Sequence, residues 1–150
     1  MHGHNREFDE ALDCCAIIKE ILQSHLVSLP FKKLGAETTY RMGLIDEAHG
    51  DLESAMSYFS DALTLFQHCR EREAKERLVD DMIQSHIRVI EIMMQMAEVQ
   101  MRVEDWTEAL DWTNQAMKEV STVPEEIQAE ELVELKVRLL ENLTEIEDHM

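Results

Sequence analysis

Histidines, cysteines and paired acids are the side chains here that could bind a metal or drive catalysis, and their spacing suits neither. The seven histidines (His2, His4, His25, His49, His68, His86 and His149) form no HExxH and no ExxH pair on facing helices. His68-Cys69 stand side by side without a CxxC, so no structural zinc site is expected. His2 and His4 have the spacing to hold copper with a free amine, but a frayed end is the simpler reading of residues 1–5. Cys14, Cys15 and Cys69 make no paired framework, which fits a reducing compartment and small buried hydrophobes. Asp80-Asp81 reads as a solvated acidic pair on a helix. Neither a Gly-rich phosphate loop nor GxSxG occurs. No catalytic residue, metal or cofactor is expected, and the chain reads as non-enzymatic.

Binding chemistry has more to offer. Met82, Met93, Met94, Met96 and Met101 fall on one helical segment. Methionine is flexible and polarisable, and serves both as core filler and as the lining of permissive grooves. Helical spacing makes most of these core filler. Met93, Met94 and Met101 do not all point with Met96, so some are expected to line a concave side. Trp106 and Trp112 lie on different sides of a later helix, the first as filler and the second partly exposed.

The elements that would carry these residues are helices. In 150 residues there are only 4 Gly and 2 Pro, hydrophobic residues make up 45% and charged residues 31%, and Glu, Leu, Met, Ala and Gln dominate. The formal charge is −18, and from Glu104 to Met150 14 acids face only Lys118, Lys136 and Arg138, a net of −11. Such a field disfavours nucleic acid and anionic membranes, and attracts a basic partner. No apolar run is long enough to span a membrane and no signal-peptide core precedes the first helix, so a cytoplasmic setting is expected.

The pattern predicts about six helices: 6–27, 32–49, 52 to about 66, 74–102, 105 to about 119, and 124–147. Gly50-Asp51 is the clearest punctuation, a left-handed stop followed by a capping carboxylate. Asp105 is a second cap. Between the third and fourth helices a turn near His68–Glu73 is needed for antiparallel packing, with one long bent helix as the alternative; Glu71–Lys75 and Glu73–Arg77 would be favourable pairs at helical spacing. The last helix shows Leu132, Leu135, Leu139, Leu143 and Ile146 on one stripe and acids elsewhere, suited to capping an array or to a coiled-coil dimer.

One phrase recurs at 7–18, 51–62 and 105–116: an acid, a large apolar residue (Phe8, Leu52, Trp106), a small Ala three later (Ala11, Ala55, Ala109), and Ile18, Ala62 or Ala116 seven further on. A repeated supersecondary unit is the signature of a solenoid. The middle copy, with Tyr40, Met42-Gly43, Gly50-Asp51-Leu52, Ala55, Phe59 and Ala62, resembles the tetratricopeptide repeat. The third copy keeps Ala97, Trp106, Ala109 and Ala116 but has Glu104 for the turn Gly and Thr113 for the aromatic. The resemblance covers roughly residues 7–120. The intervals of 44 residues (Ala11 to Ala55) and 54 (Ala55 to Ala109) exceed the standard repeat of about 34, so the helices are lengthened.

The fold expected from this resemblance is all-α, a right-handed solenoid of helical hairpins. It would be organised as a disordered 1–5, repeats over 6–120 and a capping helix over 121–150. The function it implies is an adaptor that holds a basic peptide or helix in a concave groove. Tyr40, Leu44, Met94, Glu98 and Met101 are the expected contacts, placed by register. None of the inner-face positions is Lys or Asn, so the chaperone-carboxylate binding of some family members is not expected. A structural subunit or homodimer packing through terminal helices, and a small repeat-type chaperone, are the alternatives.

Overall fold

The computed structural model describes Ile17, residues 28–123 and residues 130–150. The expected disorder over 1–5, nearly all of the expected first helix with the first copy of the phrase, and Pro124 as a helix start lie outside the described residues. Five helices and no strand occur among the described residues: α1 Leu29–Ala48, α2 Leu52–Lys75, α3 Val79–Arg102, α4 Trp106–Ser121 and α5 Glu130–Asp148.

The first three connections are one turn used three times. Gly50, Arg77 and Glu104 all adopt left-handed backbone, with φ of 83°, 59° and 61°. In each the following residue donates back across the turn: Asp51 N to Asp46 O at 2.9 Å, Leu78 N to Glu73 O at 2.8 Å and Asp105 N to Gln100 O at 2.9 Å. A second bond accompanies each, from Gly50 to Glu47, Arg77 to Ala74 and Glu104 to Met101. This is the Schellman arrangement, which satisfies carbonyls that a helix end leaves bare. Asp51 and Asp105 then cap the next helix, accepting from Ser54 N at 3.3 Å and Glu108 N at 3.2 Å.

Two boundaries differ from expectation. Helix α2 runs through His68–Glu73 and turns only at Arg77, because Cys69 and Glu73 are buried on its inner side and hold it helical. The pairing of Glu73 with Arg77 is therefore not made. Arg72 instead reaches Glu76 at 3.9 Å, and α3 starts five residues later than expected. Nothing in the sequence flags Arg77, since a left-handed non-glycine costs about 1 kcal/mol and is normally avoided. Pro30 sits in the first turn of α1, where its missing N–H is no loss.

Each helix packs on the next, and α3 also packs on α5. Helices α1 and α2 come into close contact at Gly43. A Cβ there would lie 2.6 Å from Cε1 of Phe59, whose ring is fully buried. Ala36, Ala55, Ala62, Ala97, Ala109 and Ala116 are likewise fully buried, the small residues that let helices come together. Gly43→Ala is accordingly expected to destabilise. Alanine would gain about 1 kcal/mol of helix propensity, but overpacking an enclosed ring costs about 1–3 kcal/mol. Chemical denaturation should show a net loss that the added Phe59→Leu change partly restores; a Gly43→Ala chain as stable as the parent would refute this reading of the contact.

Candidate functional site

The central helix decides what any groove can be made of. Helix α3 buries Ser85, Ile87, Val89, Ile90, Ile92, Met93, Met94, Met96, Ala97 and Val99, which together cover most of its circumference. The remaining strip, at alternating steps of three and four residues, is Gln84, Arg88, Glu91, Gln95, Glu98 and Arg102. It is wholly polar. The strip reaches α1 on one side and α5 on the other. Arg88 binds Glu37 Oε1 at 2.6 Å and also pairs with Glu91. Arg102 donates to the Glu47 carbonyl at 3.1 Å. Glu98 accepts from Arg138 and, at 3.2 Å, from Asn142 Nδ2.

The expected contact residues are distributed across this frame and line no common opening. Tyr40 is buried, its ring centroid 5.9 Å from that of Phe59 and the Arg88 guanidinium 5.0 Å from its centre. Burial, with the nearby Glu91 charge, pushes its hydroxyl up to about 12. Met94 is only 1% exposed. Leu44 and Met101 are half-buried, Leu44 packing against the core, and Glu98 is held by α5. The expected groove lining is corrected for Met93 and Met94: with Met96 they are core, because α2, α4 and α5 enclose the middle of α3, while Met82 and Met101 near its ends are half-buried. A cleft of about 300 Å³ persists at one end of the strip, lined by Lys33, Glu37, Gln84, Arg88, Glu91 and Glu131 with Phe66 and Ile87.

Two ties brace the other side of α3. Glu73, 1% exposed, accepts from Lys33 Nζ at 3.1 Å and from Ser85 Oγ at 2.6 Å, joining α1, α2 and α3. Burial, then the Glu73 charge, raises the neighbouring Cys69 thiol to about 11, so it is kept protonated and inert. His86 lies between Arg70, 2.8 Å from its Nδ1, and the Glu119 carbonyl, 2.7 Å from its Nε2. Since arginine can only donate, Nδ1 accepts and Nε2–H donates, satisfying a carbonyl in the last turn of α4. Arg70 also pairs with Glu119 at 2.8 Å. A cleft of about 490 Å³ opens beside this cluster. Sequence spacing gave no sign of it, because its members come from three helices.

Helix α5 departs most from expectation. Leu132, Leu135, Leu139 and Ile146 are buried within the chain, so that stripe is not free for a coiled-coil partner. Its exposed side is not wholly charged: Val133, Val137 and Leu140 are each more than half exposed. Between α4 and α5 lies a groove of about 410 Å³ lined by Met117, Val120, Ser121, Val123, Lys136, Leu139 and Leu140. Trp106 at the start of α4 stacks on His149 at the end of α5, centroids 4.1 Å apart and planes at 12°. Trp112 is half-buried against the core. Asp80 and Asp81 are exposed in the first turn of α3, where negative charge complements the helix dipole.

Among the described residues no three His, Cys, Asp or Glu side chains gather as metal ligands, and no helix is long and apolar enough to cross a membrane. No protein-family pattern matches the chain. A comparison with curated proteins gives no match either.

Burial of Met94 decides what a charge at that position would do. Met94→Glu is expected to collapse cooperative unfolding, because it places an unpaired carboxylate in the core. Leu44→Glu should lose no more than about 1 kcal/mol. Circular dichroism during thermal melting separates the two, and a stable Met94→Glu chain would mean that Met94 is not enclosed.

The polar strip also has a pH signature. Burial holds the Glu91 carboxyl above its ordinary value, outweighing the pull of Arg88. A raised folded-state pKa favours folding at pH below the unfolded value, and that contribution is lost as pH rises through the folded value. Glu91→Gln imitates the protonated form, so its stability relative to the parent should be greatest near neutral pH. That difference should shrink toward about pH 4.5 in urea titrations; a difference that grows on acidification would contradict the assignment.

Proposed function

We propose that this chain is a non-enzymatic protein-interaction module, a divergent right-handed solenoid of helical hairpins resembling tetratricopeptide repeats, that holds a peptide or helix of a basic partner. The observation that carries this reading is the recurrence of one turn at Gly50, Arg77 and Glu104, spaced 27 residues apart each time. Identical turns at equal spacing generate stacked hairpins. The side-chain ties from α3 to α1 and to α5 are those expected between alternate helices of such a stack. The packing of Gly43 on Phe59 supports the tetratricopeptide comparison. The charge of −18 supports a basic partner, and the free Cys69 is in keeping with a reducing, cytoplasmic setting.

A structural-subunit reading has one observation in its favour. Phe31, Leu34 and Ile45 are exposed along α1, enough for a second chain to cover. Sedimentation at several concentrations distinguishes the two readings, since a subunit that self-associates changes mass with dilution.

The adaptor reading is tested by capture from random and proteome-derived peptide libraries at low and high salt. Enrichment of basic amphipathic peptides, weakening as salt rises, is the expected outcome. A screen with no enriched peptide at either salt would reject the adaptor and favour the structural subunit.

A further inference from the structure

One open apolar surface lies on α5, beside an acidic margin. Val133, Val137 and Leu140 recur at four- and three-residue steps, so they form one stripe along the outer flank of α5, each 51–53% exposed. Leu140 belongs to both this stripe and the groove against α4, where Met117, Val120, Val123 and Leu139 supply the opposite wall and floor. Along the far side of the stripe runs a row of exposed acids, Glu130, Glu134, Glu141 and Glu145. Lys136, half-buried, lines the groove on the other side. An apolar track with a row of acids along one edge is what an amphipathic helix with basic residues on the matching side requires.

We infer that the α4–α5 groove and the Val133–Leu140 stripe form a docking site for a basic amphipathic helix. The inference rests on the adaptor reading and moves its site from the expected groove of Tyr40, Leu44, Met94, Glu98 and Met101 to the outer flank of α5. From Val133 to Leu140 the track is about 10 Å long, two helical turns. It therefore takes apolar anchors at i, i+3 or i+4, and i+7 of the partner, with Lys or Arg on the side that faces the acids. Charge sets the occupant. A second copy docking α5 on α5 would bring two Glu rows together in chains of −18 each, which repel.

The test uses fluorescence anisotropy with two synthetic helices of about five turns, one built of Leu and Lys and the other of Leu and Glu in the same pattern. The Lys helix should bind the full chain and the Glu helix should not. Val137→Glu with Leu140→Glu should weaken the Lys helix by about tenfold or more, although it makes the protein more acidic. General attraction to an acidic protein predicts the reverse, so unchanged or tighter binding by that variant would overturn the inference. Glu134→Lys with Glu141→Lys should weaken the Lys helix and admit the Glu helix. Leu34→Glu on α1 should alter neither.

Failure to bind the Lys helix also overturns the inference, as does a parent dimer that Val137→Glu converts to monomer, which would mean that a second copy covers the stripe. Library peptides that bind the parent and the Val137→Glu, Leu140→Glu chain alike would defeat this site and leave the adaptor reading standing. A library that yields no peptide defeats the adaptor reading itself.

Discussion

Helix α3 is buried around most of its circumference from Ser85 to Val99, and a helix of that kind can exist in water only if other helices enclose it. Helices α2, α4 and α5 do so, and each then has its own apolar side committed to that contact. The burial of Met94 and Met96, the inward stripe of α5 and the small residues of α2 and α4 all follow from this one requirement. Its polar strip is left uncovered, and three charges there reach a neighbour, Arg88 to α1, Glu98 to α5 and Arg102 to the end of α1, while Glu91 pairs with Arg88 on α3 itself. These pairs sit at the margin of the core, where their contribution is alignment of α1 and α5 more than raw stability.

Alignment also depends on the turns. Three connections share one hydrogen-bond pattern while using Gly50, Arg77 and Glu104 at the left-handed position. Only the first is chemically suited to it. At the other two the strain is held by the carbonyls that the Schellman bonds satisfy and by the packing of the flanking helices. Glu73 contributes twice, as the acceptor carbonyl of the Arg77 turn and as the buried carboxylate that Lys33 and Ser85 hold. The Arg77 turn, one of the two without glycine, thus has a buried ionic tie at its root.

This explains which parts of the fold could be read from the chain. Gly50-Asp51, Asp105 and the alanines at close contacts were legible because backbone freedom, capping and small size are local properties. The Arg77 turn was not, since its cause is the burial of Cys69 and Glu73 against other helices. Register alone assigned Met94 and Tyr40 to an inner face. Periodicity gives the sides of a helix but not which side a neighbour covers, and for an apolar helix like α3 nearly every side qualifies. Helix α5 shows the converse: its inward leucines were evident, while Val133, Val137 and Leu140 were masked by the glutamates interleaved with them.

The distribution of charge follows from the same packing. Lys33, Arg70, Arg88 and Arg138 are all engaged by acids within the described chain, and Arg102 by a backbone carbonyl. With these cations tied to partners in the same chain, the surfaces between them are more uniformly acidic than the formal charge conveys. The effect is strongest toward the C-terminal end, where the sequence is already poorest in Lys and Arg. Helix α3 meets α2, α4 and α5 and commits its apolar surface to them, whereas α5 keeps one apolar flank exposed among the described residues. On α5 that flank combines exposed valine and leucine with glutamate, so the forces that close the interior with paired charges leave an acidic, apolar edge facing outward.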